Sequence, residues 1–140
     1  MTDRHQQIRL TLDNSLTELD RLNEMLEQFN TEWLLSDKLL LQLNLVLEEL
    51  FTNAVCYGYK DDSKQQIDFL FLLSADEIQI TMCDNGRPFD PTSPEDPDLD
   101  GPLSEKEIGG LGIFLARQYT DTLNYRREEN KNIVTLTKKI

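Results

Sequence analysis

The chain predicts an α+β fold: a two-layer α/β sandwich with helices on one face of a mixed, mostly antiparallel sheet. Three observations predict it. Several short runs alternate apolar and polar residues with period two, and two longer runs carry the helical period. The resulting order, β-α-α-β-β-loop-α-β-β, places strands next to one another as hairpins instead of alternating them with helices. With 140 residues the chain can bury a real core and is read as one domain over 1–140.

The elements follow in order. "QIRLTL" sets Ile8, Leu10 and Leu12 on one face, a strand. Ser15, with Glu18 three residues on, has the spacing of a capping box, and the helix it opens carries Leu16, Leu19, Leu22, Leu26 and Phe29 as its apolar stripe. Ser36 or Asp37 caps a second, more apolar helix from about Lys38 to Tyr57, which Gly58 ends. "QIDFLFLL" and "EIQITMCD" are strands joined by a short turn at Ser74 to Asp76. From Pro88 to Lys106 there are five prolines, several acids and no apolar period, a loop of a length that compact domains seldom carry without a function. "GGLGIFLARQYTD" leads into a short helix, and "TLNYRRE" and "NIVTLTKKI" close the chain as strands.

Composition narrows the classes of function. A net charge of −12, from 14 basic and 26 acidic residues, repels phosphate backbones and anionic lipid, which argues against nucleic acid and membrane as partners. The same acidity also serves solubility alone. The N-terminus lacks the plan of a signal peptide and no apolar run approaches the ~20 residues of a membrane span, so the expected location is the cytoplasm. Two cysteines, Cys56 and Cys83, and one histidine, His5, supply neither a disulfide framework nor zinc or Cys/His catalysis; both cysteines read as small buried side chains.

Three clusters carry chemistry. In the second helix Gln42, Glu49 and Asn53 form a polar line through leucine-rich sequence, while Asn44 and Glu48 lie off it toward solvent. A buried Glu49 needs a partner or a wet cavity, although a spacing of four is equally at home on an exposed helix face. In "CDNGRPFDP", Asp84 continues the series Ile78, Ile80, Met82 and is aimed at the apolar side of the sheet, with Asn85 and Gly86 forming a turn that permits positive φ and close approach. Such an acid can accept from an amino group in an apolar pocket; it can also simply end a strand in water. In "GGLG", Gly109 to Gly112, glycines at a helix start can surround an anion, yet neither a P-loop nor a Rossmann fingerprint is present.

Taken in order, "EELFTNA", "DNGRPFD" and "GGLGIFLARQYTD" resemble the N, G1 and G2 boxes of the GHKL (Bergerat-fold) ATPase superfamily of gyrase, a heat-shock chaperone, histidine kinases and a mismatch-repair protein. Within it the chain is most similar, over nearly its whole length, to the anti-sigma factor serine/threonine kinases. The resemblance implies ATP and Mg²⁺ as cofactors, with Asn53 binding the metal beside the phosphates and Glu49 acting as general base. It implies that Asp84 accepts from the adenine amino group and Gly86 allows close packing of the ring. Gly110, Leu111 and Gly112 would line the phosphates, Lys106 would be the nearby cation, and residues 88–108 would form the ATP lid. The implied partners are an anti-anti-sigma protein of STAS type and a sigma factor, in a homodimer. Tyr57 stands where the family often has histidine, and Pro88 replaces the second glycine of the commoner G1 form. A non-catalytic nucleotide switch and the catalytic module of a split histidine kinase are the alternative functions; His5 lies in no helical dimerisation segment, which disfavours the latter.

Overall fold

The computed structural model describes residues 5–33, 35–59, 63–92 and 116–140. Strand β1 (His5–Asp13) is followed by a 3-10 turn (Leu16–Glu18), helices α1 (Leu19–Trp33) and α2 (Asp37–Gly58), the hairpin β2 (Gln66–Ser74) and β3 (Glu77–Asp84), and a second hairpin β4 (Thr122–Glu128) and β5 (Lys131–Lys139). Residues 116–118 are helical, where the sequence predicts a third helix. The sheet order is β1-β2-β3-β5-β4. All four pairings among the described residues are antiparallel, so the mixed character expected of the sheet is absent there.

Period-two patterning divides the sheet into two faces. Ile67, Phe69, Phe71 and Leu73 of β2, Ile78, Ile80 and Met82 of β3, and Val134 and Leu136 of β5 are buried, and their alternates are not. The helices lie on the buried face, as the sequence predicts: Phe29 of α1 meets Phe71 edge-on at 5.1 Å between ring centres, and Phe51 of α2 lies 6.2 Å from Phe69. Leu43, Val46, Leu47 and Leu50 complete this core from α2.

Local chemistry sets the helix starts. The Ser36 hydroxyl accepts from the Leu39 amide at 3.1 Å and caps α2. Ser15 accepts from Thr17, while Glu18 reaches back past Ser15 to the Asp13 amide at 3.0 Å, so the capping box is displaced and also ties β1 to the turn.

Several expectations are corrected. Leu16, assigned to the apolar stripe, is exposed, because the part of that stripe that packs on the sheet is narrower than the apolar run. Asn44 and Glu48 are half-buried and not fully solvent-facing, and Asn44 Oδ1 is buried without a hydrogen-bond partner. Cys56 is exposed and Cys83 only partly covered, since each falls on the outer side of its element. By length and composition α2 could cross a membrane, against the expectation that no run approaches that length; here its sheet-facing side is core.

Candidate nucleotide site

One row of the sheet builds the floor of the site. Antiparallel register sets Asp84, the last residue of β3, opposite Asn132 of β5, and Asn132 opposite Arg127 of β4. Asp84 falls on the core-facing series, as its spacing from Met82 predicts, and is only 4 % exposed. Its Oδ1 accepts from the Gly86 amide and from Asn132 Nδ2, both at 2.9 Å. Burial raises the carboxyl above the ordinary aspartate value, while the bonds from Asn132 and Gly86 and the nearby Arg127 pull it partly back. The Tyr59 hydroxyl is pushed up to about 12 by burial, then by the charge of Asp84.

The turn after β3 presses against the end of α2. A Cβ on Gly86 would stand 2.6 Å from the Gly58 carbonyl oxygen and 3.0 Å from Asp84 Oδ1, so only glycine permits this approach. Neither glycine has positive φ, and Gly58 is the last helical residue instead of a left-handed cap. Space, not dihedral freedom, is what Gly86 supplies; a Cβ on Gly58 would meet only ordinary contacts, the nearest at 3.8 Å. Arg87 fastens the contact: its amide donates to Gly58 O at 2.7 Å and its Nε to Tyr57 O at 2.5 Å. The Tyr57 ring stacks on Phe89 at 6.1 Å.

Above this floor runs α2. Asn53 is 4 % exposed and its Nδ2 is buried with no hydrogen-bond partner, which removes the exposed-face alternative for this residue. Glu49, one turn earlier, is half-buried, and burial raises its carboxyl above the usual range. The Asn53 amide lies near enough to pull that value partly back, but the pair falls short of hydrogen-bond geometry and leaves Nδ2 orphaned. Gln42, the third member of the predicted polar line, is half-buried two turns away.

Between α2 and the sheet, Leu50, Ala54, Met82 and Val134 wall an apolar crevice floored by Asp84 and closed by Phe89 and Pro91. Its free volume is about 10 Å³, room for roughly one water. A larger depression of about 430 Å³ reaches Asp84 and Asn85 from the side of Asp13, Gln65 and Asp68, and another of about 370 Å³ lies around Arg9, Thr81 and Cys83; Asn53 lines neither. They are shallow and hold no buried polar group without a partner. Among the described residues no three His, Cys, Asp or Glu side chains cluster as metal ligands. A hard cation here would depend on an amide oxygen and on oxygens of its ligand.

The residues present fit a purine nucleotide with a divalent ion. An orphaned buried amide, which offers oxygen when rotated by 180°, sits on α2, and a buried carboxylate keeps Oδ2 as an acceptor. Gly110, Leu111, Gly112, Lys106 and residues 93–108 of the expected lid lie outside the described residues. Sequence reading missed Asn132, Tyr125 and Arg127. The available signal was period two: Asn132, Val134 and Leu136 share the buried face of β5, just as Met82 and Asp84 share that of β3.

The histidine kinase-like ATPase domain model matches residues 12–138. The serine/threonine-protein kinase BtrW of Bordetella bronchiseptica is 29% identical over 102 residues, covering 73% of this chain and 72% of that protein. The serine-protein kinase RsbW of Listeria monocytogenes is 29% identical over 98 residues, 66% of this chain and 61% of that one. The anti-sigma F factor of Clostridium perfringens is 28% identical over 100 residues, 71% of each. Among solved structures, the RsbU and RsbW domains of Rv1364c from Mycobacterium tuberculosis superpose with a TM-score of 0.68 at 17% identity, over 95% of this chain and 32% of that one.

Proposed function

This chain belongs to the histidine kinase-like ATPase domain family, and from that premise we propose that it is a cytoplasmic, Mg-ATP-dependent serine protein kinase of the anti-sigma type. In this reading it phosphorylates a serine of an anti-anti-sigma protein of STAS type and, in its other state, sequesters a sigma factor, acting as a homodimer. The names of the relatives support the kinase class. The observation that carries the reading is a buried carboxylate, Asp84, on the floor of the apolar crevice, together with an orphaned buried amide, Asn53, on α2, the helix that gives the crevice Leu50 and Ala54.

Each residue then has a task. Asp84 Oδ2 accepts from the exocyclic amine of adenine, in apolar surroundings where an unpaired donor would go unsatisfied. Gly86 lets the ring lie close to the backbone. The Asn53 amide oxygen holds the divalent ion, a hard ligand for a hard cation. Glu49 takes the proton of the attacking serine hydroxyl on its carboxylate, and its raised value brings it toward the operating pH. When bound, Mg-ATP supplies the phosphoryl group and offsets the charge that develops as it transfers.

Phosphotransfer to the cognate partner tests the proposal. Glu49→Gln is expected to lower the rate by about 100-fold or more while ATP affinity stays within about threefold. Equal labelling by wild type and variant removes Glu49 as the base. ATP retained with partner present and no phosphoserine by mass spectrometry turns the reading to a non-catalytic switch.

A further inference from the structure

We infer that Asn132 is a positioning residue for base recognition: it clamps Asp84 and the segment after β3 together, so that Asp84 offers one defined oxygen to the amino group of a bound heterocycle. The inference rests on the nucleotide reading above and adds a residue to it.

Asn132 is 3 % exposed and spends every polar valence on this chain. Its Nδ2 donates to Asp84 Oδ1 at 2.9 Å and to the Arg87 carbonyl at 2.8 Å. Its Oδ1 accepts from the Tyr125 hydroxyl at 2.6 Å, Arg127 Nη1 at 3.1 Å and the Phe89 amide at 3.3 Å. The amide orientation follows from these partners. Turned by 180°, the oxygen would face two acceptors and the nitrogen three donors. No valence remains for a ligand, so Asn132 acts through Asp84.

The clamp has two consequences. Both bonds to Asp84 go to Oδ1, from Asn132 and Gly86, which directs the remaining acceptor capacity to Oδ2. The same amide grips Arg87 and Phe89, the root of the segment that closes the crevice, while Arg127 Nη1 also holds the Gly86 carbonyl at 2.8 Å. Acceptor and closing segment are therefore set by one side chain, which ties how the base is read to how the crevice opens.

The test compares ADP with inosine diphosphate, which has a carbonyl where adenine has its amine, by calorimetry on wild type and Asn132→Asp from pH 6 to 8.5. Wild type is expected to favour ADP by at least tenfold with little change over pH 7–8.5. In Asn132→Asp the amide donor is replaced by a second carboxylate beside Asp84. Asp84 interacts electrostatically with Arg127 and Tyr125 of β4 and Tyr59 after α2, and with its chain neighbour Cys83 on the other face of β3. The variant is expected to lose most of the preference at pH 8.5 and regain it toward pH 6, where one shared proton restores a donor to Asp84. A preference equal to wild type at every pH, or affinities for both nucleotides that fall together without pH dependence, overturns the inference and leaves the nucleotide reading standing. Wild type that binds neither nucleotide, or both equally, overturns the role of Asp84 and this inference with it. Should the variant not fold, the Asn132 side-chain amide resonances of wild type decide. A marked shift on saturation with ADP and a much smaller one with inosine diphosphate supports the clamp; no shift with ADP overturns it.

Discussion

Burial changes what two carboxylates can do. Asp84 is held above its ordinary value in the folded state, so its ionisation opposes folding: stability falls as pH rises from the ordinary aspartate range through the folded value. Asparagine at this position keeps an oxygen for Gly86 and Asn132 and removes the charge. Asp84→Asn is therefore expected to melt with wild type in acid and a few degrees above it at pH 7, while ATP binding weakens by about 1–3 kcal/mol. Parallel melting and calorimetry check both halves, and such an opposition of stability and binding marks a functional residue. Glu49, also raised by burial, must be ionised to act as base, so the rate is expected to rise with pH through a value above the usual glutamate range. A pH–rate profile of wild type beside Glu49→Gln checks that this limb belongs to Glu49.

At the scale of elements, contact between the end of α2 and the turn after β3 separates local from shared stability. Gly86→Ala places a methyl 2.6 Å from the Gly58 carbonyl oxygen, a backbone atom that cannot turn away. The expected loss is about 1–3 kcal/mol in denaturant unfolding, accompanied by weaker nucleotide binding, because Asp84 and Arg87 move with the turn. Ser36→Ala at the opposite end of α2 removes one capping bond and is expected to cost about 1 kcal/mol without changing nucleotide affinity. Urea unfolding with and without ADP distinguishes the two.

For the whole molecule, charge and layering decide the behaviour. With a net charge of −12, the folded chain repels itself, and salt between about 10 and 300 mM is expected to raise the melting temperature by screening that repulsion. The two-layer packing leaves the outer sheet face free of helices among the described residues, while Phe51, Phe69 and Phe71 carry the buried side. Phe71→Ala is expected to cost about 3–5 kcal/mol in the same unfolding measurement, since it empties space against Phe29.

The order of strands and helices and the face to which Asp84 belongs follow from short-range rules: period two aims Asp84 at the core side because side chains alternate along a strand whatever its neighbours are, while its burial, left open against a strand end in water, was decided by packing. Helices on one face of the sheet were legible for the same reason. Sequence could not choose between burial and exposure for Asn53, since a helix has no inside until something packs on it; α2 against the sheet decided that. Nor could it pair Asp84 with Asn132, 48 residues apart, because strand register belongs to β3 and β5 jointly. Gly86 was legible as a glycine, but the need for one there, with its backbone against the Gly58 carbonyl, exists only once the two ends meet.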